Sequence, residues 1–230
     1  MGTWVARHRH AVLLALLLLA YTCQSFAITA GTGGILSDVG LAALEIVMCF
    51  IVFEEPRERA LLAAIFIAAT AVALSRYVVS AGADSGRALG SYTLHAIFLW
   101  GAVFAILRDL FRKKGGGPEN VLGAICGYLI AGAAWAALNE IAFWFAPAAF
   151  SINADLAQLV AEWHGRLALF LYYSMAQMLT IGYSDVTPLR APATTLSLFS
   201  ALFGLFYTAI VVAQFVGLAQ SGSSGNRDHP

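Results

Sequence analysis

Between Leu171 and Pro188 the chain reads LYYSMAQMLTIGYSDVTP. The apolar stretch leading into it, residues 167–180, is shorter than the roughly 20 apolar residues a helix needs to cross a bilayer. Gly182 and Pro188 stop it from continuing as a helix. A segment of this kind enters a membrane and turns back. Non-helical backbone at that depth is tolerated only where it lines water or is buried in protein. That condition governs how everything around it is read.

The surroundings are membrane helices. Apolar runs occupy residues 11–30, 35–53, 60–80, 89–107, 121–145 and 193–219. Of 230 residues, 60% are hydrophobic and 11% charged, whereas soluble domains carry about 25% charged residues. A mean hydropathy of +0.77 cannot be hidden in one soluble core. The expected fold is therefore an all-α integral membrane protein of six transmembrane helices, with a re-entrant helix and loop between the fifth and sixth. Thirteen basic residues balance thirteen acidic ones, which leaves no field to gather nucleic acid. Cys23, Cys49 and Cys126 are too scattered for a disulfide framework or a zinc site and read as packing residues.

Lysine and arginine placement sets orientation. With the N-terminus inside, one face collects Arg7, Arg9, Arg57, Arg59, Arg108, Arg112, Lys113, Lys114 and Arg227; the other collects Arg76, Arg87, Arg166 and Arg190. Both termini are expected in the cytoplasm, with the re-entrant segment entering from outside. The first apolar run, followed by polar residues and a small-residue stretch ending at Ala30, also reads as a signal peptide. The polar tail, residues 220–230, is expected to be disordered.

Thr180-Ile181-Gly182-Tyr183-Ser184-Asp185 carries the chemistry. A dehydrated monovalent cation needs a cage of oxygens in place of its water shell, and copies of a short extended backbone aimed at one axis supply it. Thr180 offers a hydroxyl and a carbonyl at the inner end. Ile181 and Tyr183 brace the strand from behind, and Gly182 permits backbone that L-residues resist. The preceding helix directs its partial negative C-terminus toward the waiting cation.

These residues resemble the TVGYGD signature of the potassium channel superfamily, and Leu171–Pro188 is similar to its pore helix plus selectivity filter. The resemblance covers residues 121–219. It implies a pore domain there, behind a four-helix membrane domain at residues 1–110, in a homotetramer that conducts potassium ions in the plasma membrane (a bacterial inner membrane if the source is prokaryotic). The chain's own copies and membrane lipid are the implied partners; no organic cofactor and no enzyme activity are implied. The filter carbonyls fall to Thr180, Ile181, Gly182 and Tyr183, with Ser184 at the outer mouth and Asp185 supporting it. Tyr172 and Tyr173 sit where the family keeps an aromatic cuff. Glu140 sits where a carboxylate bonds backbone behind the filter. Gly204, twenty residues after Ser184, takes the place of a hinge glycine in the inner helix. Carrying the family register onward turns Thr208, Val212 and Val216 toward the axis. Ser184 departs from the family's second glycine. A left-handed backbone there would cost about 1–2 kcal/mol per chain, which leaves a weakly selective cation channel as the nearest alternative and a non-conducting membrane scaffold as a distant one.

The front half resembles a voltage sensor in helix count only. Residues 89–107 contain no arginine, and without charge inside the membrane a potential has little leverage. The linker Phe111–Asn120, FRKKGGGPEN, would couple the two halves slackly. Glu45 lies mid-helix and requires a partner. His95 and His164 are lone histidines near the outer face, and Phe143–Phe145 reads as an interfacial anchor. Gly182–Asp185 also superficially resembles the aspartate motif of intramembrane proteases, but that chemistry needs two facing carboxylates within the bilayer.

Overall fold

The computed structural model describes residues 8–29, 35–52, 56–78, 84–112, 118–161 and 163–224. Five helices precede the region of interest: α1 (Arg9–Thr29), α2 (Ile35–Val52), α3 (Pro56–Val78), α4 (Asp84–Arg112) and α5 (Pro118–Phe145). A short 3-10 turn, strand β1 (Phe150–Ile152), a second 3-10 turn and the short α6 (Ala157–Ala161) lead into α7 (Trp163–Met178). Strand β2 (Val186–Pro188) and the long α8 (Ala193–Ser224) complete the order. Pro118 and Glu119 open α5 as helix starts favour: proline loses no needed donor there, and the carboxylate complements the helix dipole.

The helices fall where the apolar runs place them, and several extend beyond them. α4 begins at Asp84 and runs to Arg112, and α8 runs to Ser224, into the expected disordered tail. Residues 225–230 lie outside the described residues. Among the described residues, Leu89–Arg112, Pro118–Phe145 and Ala193–Val216 are long and apolar enough to cross a membrane, while Arg9–Cys23 and Ala42–Val52 are shorter apolar helices.

α5 is the central post. Its small residues let other helices approach closely. A Cβ at Gly132 would collide with Met175 of α7, and one at Gly127 with the Tyr207 hydroxyl of α8. α8 meets α7 in the same way, because a Cβ at Gly204 would collide with the backbone carbonyl of Met178. Three glycine contacts thus join α5, α7 and α8 pairwise.

The front helices pack onto this post directly. Leu13 and Leu17 of α1 are 0% and 2% exposed. Tyr21 donates to the Leu129 carbonyl at 2.6 Å, and Glu119 accepts from the His10 backbone at 3.2 Å. α1 is therefore built into the core with α5. The expected slack between the halves is corrected too: Trp100 of α4 packs edge-on against Trp135 of α5 and Phe203 of α8, at 5.2 and 5.5 Å between ring centroids. Glu45 finds its partner in His95, with Oε2 and Nε2 3.5 Å apart. Cys49 and Cys126 are buried as expected, but Cys23 is exposed. Phe143 is part of the core, packed on Phe150 and Phe170, so only Trp144 and Phe145 project outward.

Candidate functional site

α7 closes in a defined cap. The Thr180 N–H donates to the Gln177 carbonyl and the Ile181 N–H to the Ala176 carbonyl, each at 2.9 Å. Thr180 takes a φ of 56°. This pair of bonds is the Schellman closure, whose first residue past the helix is left-handed and usually glycine. Threonine there costs about 1–2 kcal/mol. Its hydroxyl donates to the Leu179 carbonyl at 2.7 Å. Gly182 is left-handed again at φ 67°, with no atom within 4 Å of where a Cβ would stand.

Thr180 is the one non-glycine residue with positive φ among the described residues. Ser184 therefore does not adopt the left-handed backbone expected of the glycine it replaces. The two left-handed positions fall at 180 and 182 instead, and a serine Cβ at 184 meets no backbone penalty.

The far end of the loop is clipped. β1 pairs antiparallel with β2, with Phe150 opposite Pro188 and Ile152 opposite Val186. The Asn153 N–H donates to the Asp185 carbonyl at 2.9 Å, and the Thr187 hydroxyl donates to the Ser184 carbonyl at 3.2 Å. The Tyr172 hydroxyl donates to Asp185 Oδ2 at 2.8 Å. The Tyr172 ring stacks on Tyr183 at 5.6 Å and 13° between planes. Between cap and clip, residues 179–184 are exposed on the single chain, Ile181 and Tyr183 to 49% and 51%.

The other expected residues divide. Tyr172 reaches the loop; Tyr173 does not. Its ring is buried and its hydroxyl hydrogen-bonds Ser197 of α8, so it ties α7 to the long helix. Glu140 is corrected as well. Its Oε2 accepts from Arg166 Nε at 3.3 Å, at the start of α7 rather than from loop backbone. Gly204 supplies close approach to Met178, and α8 runs unbroken through it, so a hinge is not what its contacts call for. The Thr208 hydroxyl donates to the Gly204 carbonyl, and Thr208, Val212 and Val216 are exposed on the single chain. The side chain of His164 lies outside the described residues.

Sequence reasoning missed the bridges. Arg166 counted only toward topology. Asn139, whose Nδ2 donates to Ser174 Oγ at 3.1 Å, drew no attention, though a buried amide beside a buried acid on one apolar helix was a readable signal. The β1–β2 clip left no legible pattern, since three-residue strands carry too few positions for alternation.

Residues 123–221 match the model of a family described as an ion channel. The matched segment runs from the first turns of α5 to the last turns of α8 and takes in the whole site. The match, over less than half of the chain, supports ion channel activity in a membrane protein. No curated protein and no solved structure matches the chain.

Proposed function

We propose that four copies of this chain enclose a pore that conducts potassium ions passively. The observation that carries the reading is the loop of residues 179–184, capped at one end, clipped at the other and uncovered on the single chain. Backbone at membrane depth cannot face lipid, and one strand cannot enclose an ion. Closed symmetry allows identical strands to face one axis, and their carbonyls at Thr180, Ile181, Gly182 and Tyr183 would replace the ion's water shell. Ser184 stands at the outer mouth, and Asp185, held by Tyr172, steadies it. Past the loop, Thr208 would solvate a hydrated ion, with Val212 and Val216 forming an inner constriction that dewets. Arg108 and Arg112 sit at the inner end of α4, so opening is not strongly driven by voltage.

Purified protein in liposomes, held under opposed potassium and sodium gradients, tests the reading. A reversal potential near the potassium value supports it. Equal permeability of the two ions replaces it with the weakly selective alternative, and absence of flux refutes both. The plasma membrane, or a bacterial inner membrane, is the proposed location, with both termini in the cytoplasm.

A further inference from the structure

We infer that Arg166 is a positioning residue for ion selection: paired with buried Glu140, it fixes where α7 starts against α5, and through α7 the height of the loop. The inference rests on the potassium-channel reading and names a residue that reading does not use. Glu140 is 1% exposed. Its Oε1 is buried with no hydrogen-bond partner, so the Arg166 guanidinium on Oε2 is the one hydrogen-bond donor the carboxylate has among the described residues. Arg166 also donates from Nη1 to the Val160 carbonyl at 3.2 Å, and so joins the outer helix α5, the end of α6 and its own α7. The turn between α6 and α7 is closed tightly beside it, because a Cβ at Gly165 would collide with the Leu159 carbonyl.

A carboxylate buried at membrane depth needs a counter-charge. α5 and α7 are therefore held in one arrangement near the start of α7 by charge. Eight residues on, the Asn139–Ser174 hydrogen bond holds them again. Two fixed points along a 16-residue helix define its axis, and the Thr180 cap hands that axis to the loop. The Asn139–Ser174 point is neutral, and the Tyr173–Ser197 bond to α8 is neutral too. Loss of the charged point leaves the start of α7 free to swing about the neutral contacts at Tyr173, Ser174, Met175 and Met178. Displacement is then largest at the start of α7, and the change in its axis is passed on, reduced, to the loop past Met178.

The test compares wild type with Arg166→Gln, Arg166→Lys, Glu140→Gln and the exchanged pair Glu140→Arg/Arg166→Glu. Each protein is reconstituted in liposomes, and oligomer mass and reversal potential are measured. Arg166→Gln is expected to assemble while losing roughly tenfold in potassium-over-sodium permeability, the change that about 1.4 kcal/mol of discrimination produces. Arg166→Lys and the exchanged pair should recover most of that loss, which a merely space-filling role would not predict. A wild-type ratio in assembled Arg166→Gln overturns the inference. If that variant does not assemble, the lysine and exchanged forms decide: retained selectivity supports the inference and lost selectivity overturns it. A wild type without potassium preference instead sinks the channel reading. In that event, backbone hydrogen exchange across residues 176–186 decides. Faster exchange in Arg166→Gln supports the positioning role, and unchanged exchange refutes it.

Discussion

The left-handed threonine at the end of α7 can be measured by three substitutions. Thr180→Gly and Thr180→Ala both delete the hydroxyl that bonds the Leu179 carbonyl, so their difference isolates the Cβ at φ 56°. Alanine keeps a left-handed cost of about 1–2 kcal/mol. Glycine avoids it but has a more flexible unfolded chain, worth roughly 0.5–1 kcal/mol against it. The glycine variant should therefore be more stable than the alanine variant by about 0.5–1 kcal/mol per chain, and by roughly 2–4 kcal/mol over the four chains of the proposed assembly. Ser184→Gly should show no such gain, because residue 184 is outside the positive-φ region. It loses stability by the flexibility term alone. The assay is unfolding of purified protein in mixed micelles of rising denaturing detergent, followed by circular dichroism. Thr180→Ala as stable as Thr180→Gly, or Ser184→Gly more stable than wild type, would refute the assignment of the left-handed positions.

Three further outcomes follow from the same geometry. Tyr172→Phe keeps the stack on Tyr183 but removes the charge-assisted bond to Asp185, so potassium flux in liposomes should fall several-fold while oligomer mass stays at the wild-type value; unchanged flux would mean that bond does not steady the mouth. Gly204→Ala forces a methyl against the Met178 carbonyl and should destabilise the fold by about 1–3 kcal/mol, read in the same detergent titration. Gly182→Ala meets no neighbour in the single chain but sets a Cβ at φ 67°, a left-handed cost of about 1–2 kcal/mol offset in part by the stiffer unfolded chain, so it should lower stability modestly and flux as well. Glu58 pairs with Arg108 through two hydrogen bonds, which hold its carboxyl below the usual range. The stability that pair contributes is present above the ordinary glutamate pKa and is lost as pH falls through the lowered one, so melting temperature in detergent should drop across that acidic window in wild type and more shallowly in Glu58→Gln.

How far the sequence reached follows from what each kind of signal encodes. Apolar runs report length, so the long helices and the shorter apolar helix that becomes α7 were legible from residues 11–219 before any contact was known. They do not report facing when a helix is apolar all round, and α5 and α8 are of that kind. The register proposed to turn Thr208, Val212 and Val216 toward an axis rests on the resemblance, and no periodicity in α8 could have supplied it. The pairs that hold the site are separated by 26 residues for Glu140–Arg166 and 35 for Asn139–Ser174. Asn139 beside Glu140 on an apolar helix marks a need for partners, but nothing local names those partners, because their meeting is decided by where α5 and α7 cross. The departure at Ser184 (a second, Leu179 in place of the first threonine of the family's usual pair, lies just past the end of α7) shows the same thing from the other side. Serine in place of the second glycine looked like strain because the position was assumed left-handed. The cap at Thr180 and the clip from Asn153 to Asp185 place the left-handed residues at 180 and 182 instead. The scaffold at both ends of the loop, rather than the identity of residue 184, decides which positions need glycine. A serine there is therefore compatible with an unstrained loop backbone, and in the proposed channel its effect on ion choice would come through the outer mouth.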